Sequence, residues 1–177
     1  MRIISGKYKG KRLLAPKKLP VRPTKDFAKE ALFNILKNKI DFNEISVLDL
    51  FAGTGNISFE FASRSTQEIT SVDAYYGCVK YIQKIAEELS FPIKTVKADV
   101  VKYIASTDSS FDIIFADPPY NYEIHLFEKI ITIIFQNNLL KTNGFLIIEH
   151  SKHTDLSMAS NFRESRRYGG TVFSFFE

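Results

Sequence analysis

One cysteine, Cys78, stands in 177 residues, so the chain has no partner for an internal disulfide, which fits a reducing cytoplasm. Histidine is nearly as scarce. Three His and that one Cys are scattered without zinc-ligand spacing, so no metal site is expected. No apolar run approaches the roughly 20 residues that span a bilayer, and the first residues hold no signal-peptide core. Neither a membrane nor an export role is expected. Internal repeats and low-complexity linkers are absent. With 45% hydrophobic, 14% aromatic and 25% charged residues, the chain can bury a sizeable core, and disorder is excluded. The length suits one domain over residues 1–177, expected to be monomeric.

Acid is missing from the first 25 residues. They carry Arg2, Lys7, Lys9, Lys11, Arg12, Lys17, Lys18, Arg22 and Lys25, nine of the chain's 24 basic residues. The net charge of +4 is only a weak sign of an anionic partner, but this one-sided distribution is a stronger one. Such an arm can neutralise phosphates and release their counterions. Lys7, Lys9, Lys11, Arg12 and Arg22 are the candidate nucleic-acid contacts. The bland alternative is a solvated pair of terminal strands.

Arg2-Ile3-Ile4-Ser5-Gly6 and Lys11-Arg12-Leu13-Leu14-Ala15, flanking Lys7-Tyr8-Lys9-Gly10, read as a small N-terminal β-hairpin turning at its glycines. Pro16, Pro20 and Pro23 then hold an extended segment. Thr24 is a candidate N-cap for a helix running to about Lys39. Strand-like runs follow at Ile45–Phe51, Glu68–Asp73, Ile93–Ala98, Phe111–Ala116 and Gly144–Glu149. Helices are expected near Asn56–Ser63, Tyr75–Leu89, Val100–Ala105 and Tyr122–Phe135. This alternation predicts an α/β fold with a doubly wound, mostly parallel sheet. Phe162–Tyr168, Gly169-Gly170 and Thr171–Phe176 predict an antiparallel hairpin that closes it.

Two strand ends carry the chemistry. The first strand runs into Phe51-Ala52-Gly53-Thr54-Gly55, where glycines let the backbone turn tightly and approach a ligand. A helix follows at once, so its first amides face the crevice beyond the strand ends, where open α/β sheets bind ligands. Asp49 precedes the loop and can orient it, or meet the cationic end of S-adenosylmethionine through water. Asp73 ends the second strand and can accept from two ribose hydroxyls; Asp99 follows the third and can accept from an adenine amino group. A nicotinamide-binding domain competes for such a loop, but Gly53-x-Gly55 continues to Ser58 and not to a third glycine.

The fourth strand ends in Asp117-Pro118-Pro119-Tyr120. Two consecutive prolines end the strand ladder and stiffen the turn. The Asp117 carboxylate and the Pro118 carbonyl make two fixed acceptors that match the two hydrogens of a planar amino group, and Tyr120 offers a stacking face. An exocyclic base amine is a poor nucleophile because its lone pair is delocalised into the ring. Accepting both hydrogens returns density to nitrogen and aims it at a methyl donor.

With Arg2-Ile3-Ile4-Ser5-Gly6, Val21-Arg22-Pro23-Thr24, Leu48-Asp49-Leu50-Phe51-Ala52-Gly53-Thr54-Gly55 and Asp117-Pro118-Pro119-Tyr120 together, the chain resembles the RsmD family of bacterial 16S rRNA guanine-N2 methyltransferases. The resemblance runs nearly the full length, to the strand ending in Glu149. It implies a class I (Rossmann-like) methyltransferase fold, S-adenosyl-L-methionine as methyl donor, and 16S rRNA as partner, free or within the small ribosomal subunit. Cofactor contacts would be Asp49, Phe51, Gly53, Thr54, Gly55, Asp73, Asp99, Val100 and Asp117, and Asp117, Pro118, Pro119 and Tyr120 would form the catalytic set. The target guanine would leave its stack to reach them. Ser58 departs from the glycine often found at its position, which bears on close packing of the helix. The Asp-Pro-Pro-Tyr site also serves adenine-N6 methylation, and a close variant serves protein glutamine methylation. A catalytically inactive RNA-binding module is the alternative from another class.

Other residues read as structural. Cys78 lies on a helix and is expected to pack. His150 and His153 flank a strand end as surface or hydrogen-bonded residues. Phe173, Phe175 and Phe176 belong to the core, and Arg163, Arg166 and Arg167 protect an edge strand or extend a basic face.

Overall fold

A computed structural model describes residues 1–16, 19, 26–119 and 121–177. The Thr24 cap, Arg22 and Tyr120 therefore lie outside the described residues. The elements are α1 (Asp26–Leu36), β1 (Ser46–Leu50), α2 (Asn56–Ser63), β2 (Glu68–Asp73), α3 (Tyr76–Leu89), β3 (Ile93–Lys97), α4 (Val100–Ser106), β4 (Phe111–Ala116), α5 (Ile124–Gln136), β5 (Leu140–Ser151), β6 (Phe162–Tyr168) and β7 (Thr171–Phe176). No helix among the described residues is long and apolar enough to cross a membrane.

Strand order is β3-β2-β1-β4-β5-β7-β6, parallel from β3 to β5 and closed by the antiparallel pairs β5–β7 and β6–β7. The order reverses between β1 and β4, so the loops after these two strands flank one crevice, the usual ligand position in an open α/β sheet. Alternation of side chains divides the core. Val47, Ile113, Phe115, Ile147, Phe173 and Phe175 pack with α1, α2 and α3 on one face. Leu48, Leu50, Ile114, Leu146, Ile148 and Phe176 pack with α4 and α5 on the other.

Several boundaries shift by one or two residues, and four differences from expectation have a physical reason. α1 stops at Leu36, and residues 37–39 continue it as tighter turns, with Asn38 and Lys39 amides donating to Ile35 and Leu36 carbonyls. β5 begins at Leu140, because Leu140 pairs with Phe111 before an irregularity restores the register at Ile113–Phe145. The polar Lys141-Thr142-Asn143 hides this start in the sequence. The N-terminal hairpin is reduced to one bridge, Arg2–Arg12, flanked by Ile3–Lys11 and Leu13–Met1 hydrogen bonds. α5 starts after Tyr122, whose amide instead donates to Pro119 in a turn (2.8 Å).

The arm is not a free appendage. Ile3 and Leu13 are buried in the α1–α3 core cluster. Gly6 lies at φ 83° with Ser63 so close that an added Cβ would sit 1.7 Å from its carbonyl oxygen. Only glycine fits, and the Lys7 amide donates to that oxygen (2.7 Å). Arm, α1 and α3 thus cover the outer surface of α2, and all eight α2 residues are buried. Its polar residues must therefore be satisfied internally. The Lys29 ammonium donates to Arg2 O (2.7 Å) and Asn56 Oδ1 (2.8 Å) and pairs with Glu60 (3.4 Å), which matches three donors with three acceptors. Glu60 also accepts from the Ile4 and Ser5 amides and from Arg64. Burial pulls the Lys29 ammonium below the usual lysine range, with Glu60 opposing that shift.

Candidate active site

β1 delivers the glycine loop to the crevice in a conformation its sequence makes costly. Phe51 sits at φ 58°, a strained position for a bulky residue, with Gly53 at φ 54° and Gly55 at φ 76°. At Gly55 an added Cβ would lie 2.9 Å from Ile82 Cγ1 and 3.1 Å from the Phe59 ring, so the loop lies flat against α3 and α2. Strain of this kind persists only where surrounding bonds over-determine it. Here Ala52 N donates to Val72 O (3.0 Å), Gly55 N to Ala52 O (2.7 Å), and Gly53 N to the Asp73 carboxylate (2.8 Å).

The candidate cofactor carboxylates divide by environment. Asp49 is buried within β1 and accepts from the Ser58 amide (3.1 Å) and hydroxyl, and Ser58 Oγ lies 2.6 Å from Ser71 Oγ. Ser58 thus ties α2 to β1 and β2 where a glycine would only pack, so the departure at this position is used structurally. Burial pushes the Asp49 carboxyl up to about 7, against the Ser58 hydrogen bonds and with a smaller upward push from Asp73. Asp73 is half-buried and accepts from the Gly53 and Tyr75 amides, one on each carboxylate oxygen, so each oxygen keeps a further lone pair. Asp99 is exposed and caps α4 through Lys102 N (3.0 Å). Val100 is buried against α4 and α5, so its side chain serves the core. Thr54 is buried, with Met1 Sδ 3.9 Å from its hydroxyl.

The Asp117-Pro118-Pro119 turn stands across the switch point from the glycine loop. Asp117 N reaches Leu50 O (3.4 Å), so the ends of β4 and β1 are joined where the two loops diverge. Asp117, Pro118 and Pro119 share a narrow cleft with Phe127, Glu149, His150, Ser151 and Thr154. Asp117 follows Ala116 and Glu149 follows its register partner Ile148, which sets two carboxylates at neighbouring strand ends.

One residue here carried no usable sequence signal. Tyr122 bridges the two loops, with its ring edge-on to Phe51 (5.5 Å) and to Phe127 (5.2 Å). Burial and the nearby Asp99 charge raise its hydroxyl above the usual tyrosine range. His150 is buried. Its Nδ1 lies 3.0 Å from Ser151 O, an oxygen that can only accept, so Nδ1 carries the hydrogen and Nε2 accepts from Ser174 (2.8 Å). Burial holds this imidazole below the usual histidine range, and its hydrogen bond to Ser174 joins β5 to β7. His153 is exposed. Cys78 is buried, its thiol pushed up to about 11 by burial and by Asp73, and it packs as expected.

The basic turn stands away from the crevice. Tyr8 N bonds Ser63 Oγ and Tyr8 OH bonds Leu89 O, so the turn from Lys7 to Lys11 sits at the last turns of α2 and α3. The glycine loop lies at the opposite end of α2, about 12 Å away for eight residues at 1.5 Å each. Among the described residues Lys7, Lys9, Lys11 and Arg12 form no ion pair, and all four are exposed.

Residues 1–177 match the model of a family described as "Conserved hypothetical protein 95". The chain belongs to the RsmD family. The ribosomal RNA small subunit methyltransferase D of Buchnera aphidicola subsp. Baizongia pistaciae is 31% identical over 150 residues, 84% of this chain and 75% of that protein. A provisionally assigned methyltransferase of Escherichia coli superposes with a TM-score of 0.86 at 23% identity, covering 99% of this chain and 96% of that one. The 16S rRNA N2 methyltransferase RsmC of Thermus thermophilus, solved with AdoMet and guanosine, gives 0.72 at 17% identity, covering 90% of this chain and 45% of that one. This is the class I methyltransferase fold.

Proposed function

We propose that this RsmD-family chain transfers a methyl group from S-adenosyl-L-methionine to the 2-amino nitrogen of a guanine in 16S rRNA. One observation carries the reading: a stiff Asp117-Pro118-Pro119 turn is hydrogen-bonded to the end of β1 directly beside a glycine loop braced by Asp73. The family supports it, since its curated member in Buchnera is named for methylation of the small-subunit RNA. The residues suit such a cofactor. Gly53 and Gly55 supply the positive φ values that turn the loop backbone at the crevice, Asp73 has lone pairs for ribose hydroxyls, and Asp99 is open to accept from an adenine amine. When bound, S-adenosyl-L-methionine supplies an electrophilic sulfonium methyl.

The chain's own residues then have to orient the nucleophile. The Asp117 carboxylate and Pro118 carbonyl accept the two hydrogens of the base amine and direct its lone pair along the line of displacement. Tyr120, on sequence grounds, stacks on the extruded base. Tyr122 and Phe51 close the crevice between the two loops and exclude water from it. The exposed cations of the arm hold the RNA at a distance from the chemistry. Tritiated-methyl transfer to rRNA, free and in 30S particles, followed by nucleoside analysis tests the reading. N2-methylguanosine is the expected product; label in N6-methyladenosine, or none in RNA, refutes the guanine assignment.

A further inference from the structure

Among the described residues, no cation holds the carboxylate beneath the glycine loop. Asp49 is the penultimate residue of β1, and because Leu48 and Leu50 face α4 and α5, its side chain leaves towards α2. Ser71 is its register partner on β2 and Phe115 its partner on β4. Asp49, Ser58 and Ser71 are buried, at 2%, 0% and 1% exposure. The charged groups at the adjoining strand ends, Asp73 closing β2 and Asp117 after β4, are both acids, and Asp73 pushes the Asp49 carboxyl upward. On the helices above, Lys29 of α1 is turned to Asn56 and Glu60, Glu60 of α2 is shared with Arg64, and burial raises the Cys78 thiol and Tyr81 hydroxyl of α3. What favours the anion is the pair of hydrogen bonds from Ser58.

Both of those bonds end on Oδ2: the Ser58 amide donates at 3.1 Å, and the Ser58 hydroxyl donates as well. A hydroxyl has one hydrogen. With that hydrogen committed to a carboxylate, the Ser58 oxygen accepts from the Ser71 hydroxyl at 2.6 Å. The hydrogen bonds therefore run in one direction, Ser71 to Ser58 to Asp49, and each polarises the next in a low-dielectric setting. Asp49 Oδ1 receives no hydrogen bond among the described residues, and it is not sealed off. One oxygen is thus filled by its donors and the other is open. A proton taken up by Asp49 settles on Oδ1 for the same reason.

We propose that Ser58 and Ser71 are positioning residues for the cofactor: their relay fixes Oδ2 and presents Oδ1 of an anionic Asp49, beneath the glycine loop, to the ammonium of S-adenosyl-L-methionine. This rests on the cofactor reading above and assigns two residues which that reading does not use. Proton and ammonium then compete for one oxygen. Burial raises the Asp49 carboxyl to about 7, which brings the competition to neutral pH. Cofactor affinity is full above that midpoint, where Asp49 is charged, and falls as pH drops through it. A glycine at position 58 would keep the amide donor and lose the hydroxyl. The serine therefore shifts the competition towards the cofactor.

The unliganded protein provides the first readout. Carbon-13 titration of the Asp49 carboxyl, assigned with Asp49→Asn, is compared in wild type, Ser58→Ala and Ser71→Ala, with thermal melting as the control of fold. Ser58→Ala should move the midpoint up by about one pH unit, the scale of a hydrogen bond to a charged group. Ser71→Ala leaves both Ser58 bonds in place, so it should move the midpoint the same way by less, and it carries the test if Ser58→Ala melts early. Calorimetry with S-adenosyl-L-methionine should show Ser58→Ala binding roughly fivefold more weakly at pH 7 and converging on wild type at pH 9, as a midpoint shift of about one unit requires. Midpoints within about 0.3 unit of wild type in both variants would overturn the relay. A shifted midpoint beside a cofactor affinity that ignores pH would overturn the positioning role. A shifted midpoint in a protein that does not bind S-adenosyl-L-methionine would support the relay and overturn the cofactor reading instead.

Discussion

Lys29→Met is the substitution whose consequence follows most directly from the fold. Lys29 is 0% exposed, and its ammonium joins three segments: the arm at Arg2 O, the start of α2 at Asn56, and the buried Glu60. Methionine keeps most of the apolar stem and removes the charge. Breaking a buried pair by removing one partner typically costs about 3–5 kcal/mol, because the remaining charge is stranded. Glu60 is only partly stranded here, since Arg64 still pairs with it at 3.0 Å and the Ile4 and Ser5 amides still donate. That argues for the low end, about 3 kcal/mol, with the lost donors to Arg2 and Asn56 included at roughly 1 kcal/mol each. At roughly 2–4 °C per kcal/mol for a chain of this size, the melting temperature should fall by about 6–12 °C. Urea unfolding with a constant m-value measures the change, and trypsin cleavage at the loosened arm gives a second readout. A loss under about 1 kcal/mol would refute the idea that this network, not the apolar contacts of Ile3 and Leu13, fastens the arm.

Asp117→Asn should preserve melting temperature and cofactor binding while single-turnover methyl transfer falls about 10²–10³-fold; a rate within about threefold of wild type would remove Asp117 from the mechanism. Asp49 makes a pH prediction. Its carboxyl is raised to about 7 when folded, whereas an unfolded aspartate titrates near 3.9, so between about pH 4 and 7 the folded chain keeps a proton the unfolded chain has lost. The stability it contributes is full below pH 4 and declines towards pH 7 by up to about 1.4 kcal/mol per unit. Denaturant midpoints across pH 5–8 should show that decline in wild type, and a flatter profile in Asp49→Asn. Replacing Lys7, Lys9, Lys11 and Arg12 with Ala should change melting little, because all four are exposed, form no ion pair among the described residues, and two of them stand over the Tyr8 ring. It should flatten the salt dependence of RNA binding by roughly 0.7–0.9 log unit per lost phosphate contact, and an unchanged slope would make the turn a purely structural element.

What was legible in the sequence was local. Strand-like runs bounded by turn residues placed β2, β4, β6 and β7 at their observed bounds, and α2 was expected where it lies between the first two strands. Turn chemistry put Gly53, Gly55, Asp73, Asp99 and Asp117 after successive strands, and a parallel sheet brings such ends to one edge by its topology alone. The family resemblance rests on the same local words. Boundaries failed where pairing overrode composition, as at Leu140, whose partner Phe111 lies 29 residues away and leaves no mark in the polar residues that follow.

Tertiary structure alone decided which of these residues work together. Ser58 looked like a defect in a glycine pattern, yet it holds Asp49 and Ser71 beneath the loop. Nothing in the sequence marks Lys29 and Glu60 as partners. They meet because the arm covers the outside of α2, through contacts 55 to 58 residues apart at Ser5, Tyr8 and Ser63. The arm's charge was plain in the sequence, but its direction was not, and the bonds of Lys7 and Tyr8 to Ser63 carry that charge to the far end of α2 from the glycine loop. A sequence pattern reports the period of one element against its own core. Contacts between elements depend on their packing, and a buried ion network therefore exists only once the chain has folded.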